Sequence, residues 1–360
     1  MATFSSTIIN WYNKNKRDLP WRDTTDPYKI WLSEIILQQT RVAQGLSYYL
    51  KFVEHYPTIQ HLASAPQDDV LKLWQGLGYY SRARNLHFAA KQVVSNFNGI
   101  FPSDYNDIIK LKGVGEYTAA AISSFASNHP HAVVDGNVYR VLARYYGIEL
   151  AINGNPAKKY FNQLANEILD KKNAGIHNQA IMEFGALQCV PVSPNCSICP
   201  FNNSCEAFIK NIVTQLPFKE KKLKIKQRFF NYFIIKHNNQ TFIQQRSEGD
   251  IWQGLYQFPL IETDSEKSVE EILKNENLIL FFPSNNFTVT YVSNPIKHVL
   301  THQHIFCKFF EIEIKNVTNK SALKSYLNID IDRLKNYAIP RLIDRYLHQQ
   351  ISKVQTKLML

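Results

Sequence analysis

The chain has 360 residues, 45% of them hydrophobic, enough for a substantial core and for two domains. It carries 41 Lys and Arg against 30 Asp and Glu, a net charge of +11 that attracts polyanions such as nucleic acid or an anionic membrane surface. No apolar run approaches the ~20 residues that span a bilayer, and Met1-Ala2-Thr3-Phe4 has no targeting or lipidation pattern, so a soluble, intracellular protein in a reducing compartment is expected.

Residues 1–215 read as one helical domain. Apolar residues recur at helical spacing through Ile30 to Leu37, Val70 to Trp74 and Tyr117 to Phe125, punctuated by Pro20, Pro27, Pro57, Gly76, Gly78 and Pro102. Glu34 lies among mostly apolar neighbours in the first of these runs. Two readings stay open for it: a buried acid whose carboxyl is kept protonated, or an ordinary glutamate on a polar helix face. Leu111-Lys112-Gly113-Val114-Gly115-Glu116-Tyr117-Thr118-Ala119-Ala120-Ala121-Ile122 is a helix–hairpin–helix signature. Gly113 and Gly115 allow a tight turn that brings bare amides to a surface, where a phosphate can dock; a plain helix stop is the bland alternative. Asp135 follows Val133-Val134 and precedes a helical run, the place of an N-cap. A capping carboxylate stays ionised and faces away from the helix, so a chemical role is compatible with the structural one. A protonated acid and an ionised partner are the pair that glycosidic cleavage requires.

Four of the five cysteines follow as Cys189-x6-Cys196-x2-Cys199-x5-Cys205, with Pro191, Pro194 and Pro200 between them; Cys307 stands alone. The uneven gaps suit an iron–sulfur cluster better than zinc, which is usually held by paired short units, and better than disulfides. Residues 216–228 form a basic linker that reads as a solvated connection or as a segment following a phosphate backbone. Residues 229–345 change texture. Phe229 to Ile235, Thr241 to Arg246, Phe287 to Val292 and His304 to Ile312 read as strands, while Val269 to Leu273 and Leu323 to Leu327 read as helical, giving an α+β domain. The segment 346–360 shows no clear pattern and reads as a tail, disordered or docking.

Taken together these residues resemble the adenine DNA glycosylases of the MutY family, within the helix–hairpin–helix glycosylase superfamily. The likeness runs through Trp11-Tyr12, Leu19-Pro20-Trp21-Arg22, the Glu34 run, Gly76 to Leu86, the hairpin, Asp135-Gly136-Asn137 and the cysteine loop. The fold it implies is a mainly α glycosylase domain with an iron–sulfur loop, followed by an α+β Nudix (MutT)-like domain. The resemblance also implies a [4Fe-4S] cluster on Cys189, Cys196, Cys199 and Cys205, and removal of adenine mispaired with 8-oxoguanine or guanine in double-stranded DNA. The adenine is flipped from the duplex; Glu34 is then the general acid at N7, and Asp135 steadies the cationic sugar. Tyr117 occupies the place of the lysine nucleophile of endonuclease III-type lyases, which argues for a monofunctional enzyme. Gln39 and Tyr79 match residues that wedge into the stack, and Gln179 one that contacts the adenine edge. Arg22, Arg82 and Arg84 read as phosphate or pocket residues, with ordinary exposed arginines as the bland alternative.

In the C-terminal domain Trp252 to Pro259 carry the MutT likeness, and Glu262, Glu266, Glu270 and Glu271 lack the arrangement for metal-dependent pyrophosphate hydrolysis. The family's Phe-Ser-His recognition loop corresponds to Leu300-Thr301-His302; Thr301 keeps a hydroxyl, but Leu300 replaces the aromatic. Lys112 stands for a common proline and Tyr139 for a common lysine. A sliding clamp and mismatch-repair factors are the partners the family suggests, with a monomer in the cytoplasm near the nucleoid. Two rivals remain: an endonuclease III-like lyase acting on oxidised pyrimidines, and a non-catalytic DNA-binding protein using its cluster as a redox sensor.

Overall fold

Side-chain caps set the helix starts. Thr3, Asp26, Thr58, Asp104 and Asp135 each accept an amide of the first turn that follows, beginning the helices Phe4–Asn15, Pro27–Leu37, Ile59–Ser64, Tyr105–Ile108 and Gly136–Tyr145. Pro27 adds a preset φ at the first helical position. The computed structural model describes residues 3–220, 225–282, 287–315 and 322–358. Residues 221–224 of the expected linker and residues 359–360 of the expected tail lie outside them.

Contacts divide the chain into two units, Met1–Ala65 with Asn85–Lys221, and Pro66–Arg84 with Lys222–Leu360. In the first unit, helix Ala174–Leu187 packs on the helices Phe4–Asn15, Glu116–Ser127 and Gly136–Tyr145. Their shared core includes Ile8, Val138, Leu142, Phe161 and Phe184. A Cβ at Gly185 would come within 2.6 Å of the Asn137 Cβ, so glycine is what lets the helix start carrying Asn137 lie against this neighbour. Ala119, Ala120 and Ala121 are buried on helix Glu116–Ser127, which also packs on helix Pro27–Leu37.

The second unit is built on strands β1 Lys226–His237, β2 Gln240–Gln245, β3 Tyr256–Gln257, β4 Leu260–Thr263, β5 Phe287–Val292, β6 Ile296–Val299, β7 Gln303–Ile314 and β8 Leu327–Asp330. They form one sheet with the path β3-β2-β1-β7-β5, in which β4 adds to β1, β6 to β7 and β8 to β2. β1 and β7 run parallel and the other pairs antiparallel. The hairpin between β1 and β2 turns through Asn238 and Asn239, both at positive φ as a tight two-residue turn requires. Alternation along β1 sends Phe230, Tyr232 and Ile234 to one core and Phe233 and Ile235 to the other. Helix Arg341–Leu358 covers the first face, with Tyr346 stacked on Phe309 at 4.0 Å. Helices Val269–Leu273 and Glu276–Phe281 contribute to the second.

Three expectations change. Residues 1–215 are not one continuous body. Pro66–Arg84 clusters with the second unit, where Asp68 accepts from Gln245 and Tyr256, Lys72 donates to the Tyr337 carbonyl and Arg84 to that of Gln253. Leu323 to Leu327 is not an α-helix: a 3-10 turn over Ala322–Ser325 leads into β8, whose pairing with β2 overrides the local pattern. Residues 346–358 are not a patternless tail but continue the helix begun at Arg341, drawn in by Leu342, Ile343 and Tyr346.

Candidate active site

A cavity of about 720 Å³ in the first unit brings together Glu34, Tyr117, Asp135, Asn137, Gln179, Arg22 and Gln39. Glu34 sits on helix Pro27–Leu37, whose residues from Ile30 to Ile36 are all buried. Its side chain is only 8% exposed, which settles its two sequence readings in favour of the buried acid. Burial pushes its carboxyl up to about 7, against the pull of one hydrogen bond, donated by Tyr117 Oη to Oε2 at 2.8 Å. The nearby charge of Asp135 raises it further. Burial likewise drives the Tyr117 phenol well above its ordinary value, reinforced by the charges of Glu34 and Asp135, so the tyrosine remains a donor.

Asp135 caps helix Gly136–Tyr145. Its Oδ1 accepts from the Asn137 amide at 2.9 Å and the Val138 amide at 2.8 Å, and its Oδ2 from Asn137 Nδ2 at 2.8 Å. Burial leaves this carboxyl raised too, with those three bonds and the nearby Arg140 opposing the rise without cancelling it. The two acids thus share a cavity and differ in donors: three on Asp135, one on Glu34. Arg140 extends the network, donating to Asn137 Oδ1, to the Gly185 carbonyl and to the Cys189 carbonyl.

Gln179 reaches the cavity and accepts from Tyr12 Oη at 2.6 Å. Arg22 lines the same cavity, but both its terminal nitrogens bond Glu183, which is 1% exposed and also takes Arg17. Burial alone would raise Glu183; the two guanidiniums outweigh it and hold the acid at about 2. Arg22 is therefore a wall of the pocket and not a free cation awaiting phosphate. Glu183 and Arg17 were not singled out from the sequence, and Tyr12 was named in the resemblance without a role. The one available signal was an acid within the otherwise apolar stretch Ala180 to Leu187.

Gln39 is exposed at φ +55, just past the end of its helix. In the hairpin, Gly113 has φ +80, and a Cβ there would also collide with Asn85. Gly115 caps helix Glu116–Ser127 at φ −104, with nothing within 4 Å of a built Cβ, so neither backbone nor packing demands glycine.

In the second unit the structure joins two of the expected contact residues, Tyr79 and Thr301, whose hydroxyls lie 2.6 Å apart. Tyr79 holds φ +49 and both side chains are exposed, as is His302. Arg82 packs its guanidinium over the rings of Trp74 and Tyr79, and burial lowers it to about 10. Arg84 is held by the backbone and side chain of Gln253, so neither stands clear as a phosphate ligand.

Cys189, Cys196, Cys199 and Cys205 line one cavity with Val141, Phe184, Phe201 and Phe208. All are free thiols. Arg144 ties this loop down, donating to Cys189 Sγ at 3.5 Å and to the carbonyls of Val190 and Pro191. Among the described residues, no three His, Cys, Asp or Glu converge closely enough to hold a single metal ion.

Residues 32–171 match the HhH-GPD superfamily of base excision DNA repair proteins, and residues 231–349 match the NUDIX domain. The adenine DNA glycosylase of Buchnera aphidicola subsp. Baizongia pistaciae is 36% identical over 320 residues, which cover 88% of this chain and 87% of that relative. The chain belongs to the adenine DNA glycosylases. As a member of that family it is an enzyme of base excision repair, with a helical glycosylase domain and a Nudix-like domain. The human adenine DNA glycosylase is 41% identical over 220 residues, covering 58% of this chain and 40% of the relative. Among solved structures, a thermostable thymine-DNA glycosylase aligns with a TM-score of 0.54 at 32% identity, over 57% of this chain and 95% of that one. An endonuclease III–DNA complex shares the fold at TM-score 0.50 and 22% identity, over 58% of this chain and 94% of that one. Among the described residues no helix is long and apolar enough to cross a membrane.

Proposed function

We propose that this glycosylase removes adenine lying opposite 8-oxoguanine or guanine in duplex DNA, with Glu34 as general acid and Asp135 as the ionised partner. The observation that carries this reading is the contrast in donors around two carboxylates in one cavity. Glu34, desolvated and lifted to about 7, holds a proton it can deliver near neutral pH to N7 of an extruded adenine. Protonation makes the base a leaving group. Asp135, satisfied by three hydrogen bonds as an anion, faces the positive charge that develops on the sugar. Tyr117 keeps Glu34 oriented and offers no amine, so the sugar is released to water and not to a Schiff base. Gln179, steadied by Tyr12, reads the base edge, and Gln39 in the first unit and Tyr79 in the second each serve as a residue that wedges into the stack.

The four cysteines would hold a [4Fe-4S] cluster. The donor set fits it in its chemistry: four free thiols line one cavity. When bound, the cluster supplies a fixed scaffold for the loop that Arg144 anchors. The open space around Gly115 supports a DNA phosphate at the hairpin amides, because an approaching backbone would account for a glycine that packing does not. The Tyr79–Thr301 pair, with His302, supports recognition of the opposite strand by the second unit. That unit would read without hydrolysing, since Glu262 is paired with Arg228, Glu266 with Lys308, and Glu271 caps a helix. The reading implies a monomer in the compartment that holds the DNA.

A single-turnover assay on a duplex with adenine opposite 8-oxoguanine, read with and without alkali, tests this. Strand breaks only after alkali are expected. Breaks without alkali would show another amine acting as nucleophile and sink the monofunctional assignment.

A further inference from the structure

In the second unit β6 pairs with β7 and with no other strand among the described residues. The register fixes which of its backbone groups stay free. Leu300 donates its amide to the Gln303 carbonyl, which makes those two a hydrogen-bonded pair at the turn. Bonded and non-bonded pairs alternate along an antiparallel ladder. Ile296 and His298 therefore bond inward to β7, while the amides and carbonyls of Lys297 and Val299 turn outward along one open edge.

Charge sets this edge apart. Of the other strands with a single neighbour, β4 carries Glu262 and β8 carries Asp330, while β3 and β5 hold no charged residue. On β6 Val299 is 62% exposed, and the Lys297 ammonium lies over the Phe306 ring at 5.6 Å, in no ion pair among the described residues. On the opposite face His298 lies within reach of the charges of Arg341 and Arg345, one turn apart on helix Arg341–Leu358. Burial lowers the His298 ring below its ordinary value, and the two guanidiniums lower it further, with no carboxylate to offset them. Neither arginine has a hydrogen bond or ion pair among the described residues. Asp344, the acid between them, turns to Gln75 and His348. A lysine on an edge strand is a common guard against unwanted pairing. That role does not explain two further cations gathered on the other face without an acid.

We propose that β6 is a docking edge for an extended acidic peptide of a protein partner, which joins the sheet as a further strand. The peptide backbone bonds the outward amides and carbonyls of Lys297 and Val299. One acidic residue meets Lys297, a second beside His298 meets Arg341 and Arg345, and an apolar residue covers Val299. The mixed row of donors and acceptors selects this class of ligand. A DNA backbone offers only acceptors and would leave both carbonyls unmet. A second copy of β6 has the right backbone but sets cation against cation. The surface lies apart from the Glu34 and Asp135 cavity and does not rest on the base-removal reading.

The test uses the full chain with its cluster and a short acetylated peptide, Thr-Glu-Glu-Val-Thr. One twin carries N-methyl groups on the amides that would face β6, and another has lysine in place of glutamate. Binding is read as Kd by titration and as hydrogen exchange at single amides. The glutamate peptide should bind and slow exchange at Lys297 and Val299. N-methylation should weaken it about tenfold through loss of ladder bonds. Lys297→Glu and Arg345→Glu should each weaken the glutamate peptide severalfold and strengthen the lysine peptide, a reversal that misfolding cannot imitate. The proposal is overturned if the glutamate peptide fails to bind at millimolar concentration, if its N-methylated twin binds equally well, or if neither substitution alters the preference between peptides. It is equally overturned if the peptide leaves exchange at both amides unchanged while duplex DNA slows it, which would assign the edge to nucleic acid.

Discussion

The cavity that joins Glu34 and Asp135 in the first unit and the polar cluster around Arg228 in the second are made from the same ingredients to opposite ends. In the second unit Arg228 bonds Asp250 and Glu262 through paired contacts of 2.6 to 2.8 Å, and Arg246 adds another to Asp250. The Arg228 guanidinium holds Asp250 down to about 2. In the first unit Glu34 is more deeply buried, is hydrogen-bonded by a phenol and not by a guanidinium, and the pull of the nearby Arg22 charge is too weak to offset burial, so its carboxyl rises to about 7. An acid met by a fork of N–H donors is locked as an anion. One left with a single neutral donor keeps its proton and can deliver it. Glu183, which lines the same cavity as Glu34, follows the second unit's pattern.

The largest effect expected from this contrast is on rate. Glu34→Gln and Asp135→Asn should each lower single-turnover excision on the order of 10³-fold. Asn caps a helix nearly as well as Asp, so Asp135→Asn should unfold at the wild-type denaturant midpoint. A midpoint shift matching the loss of rate would reduce Asp135 to a cap. Stability should separate the acids next. The Glu34 carboxyl binds its proton more tightly in the folded state, so stability falls as pH rises from 4.5 through about 7, and the rise corresponds to roughly 3 kcal/mol. Glu34→Gln should therefore be more stable than wild type at pH 8 and similar at pH 4, by urea unfolding. Glu183 has the reverse sign. Its contribution is present above 4.5 and lost as pH falls towards about 2, and Glu183→Gln should destabilise at neutral pH by about 3 kcal/mol through two stranded guanidiniums.

Smaller changes are expected in the second unit. Arg228→Leu should cost about 1–2 kcal/mol of that unit's stability, muted because Asp250 and Glu262 are partly solvated, with excision opposite guanine little changed. Thr301→Ala removes the contact to Tyr79 and should narrow the preference for 8-oxoguanine over guanine by about fivefold, near the worth of one hydrogen bond. An unchanged preference would detach that loop from lesion reading.

Several elements of the candidate site were legible because their residues announce themselves locally. Asp135 stands directly before a helix it caps, the hairpin glycines flank a tight turn, and the cysteines lie within one loop. Glu34 was only half legible, since its environment is made by a helix wrapped on nearly all sides, and local sequence cannot count neighbours brought from elsewhere. The clamp of Glu183 on Arg17 and Arg22 was invisible for the same reason: its members stand over 160 residues apart. Pro66–Arg84 misled because each of its turns is helical on its own, while its unit is decided by Asp68, Lys72 and Arg84 reaching partners far along the chain. Leu323 to Leu327 has helical spacing that an edge strand overrules.

The most direct test is the single-turnover excision rate of the wild-type chain from pH 5 to pH 9 on adenine opposite 8-oxoguanine. With Glu34 as the proton donor, the rate should bend downwards near pH 7 and fall about tenfold for each further pH unit. A rate that stays level through pH 9, or climbs, would mean that Glu34 does not deliver the proton.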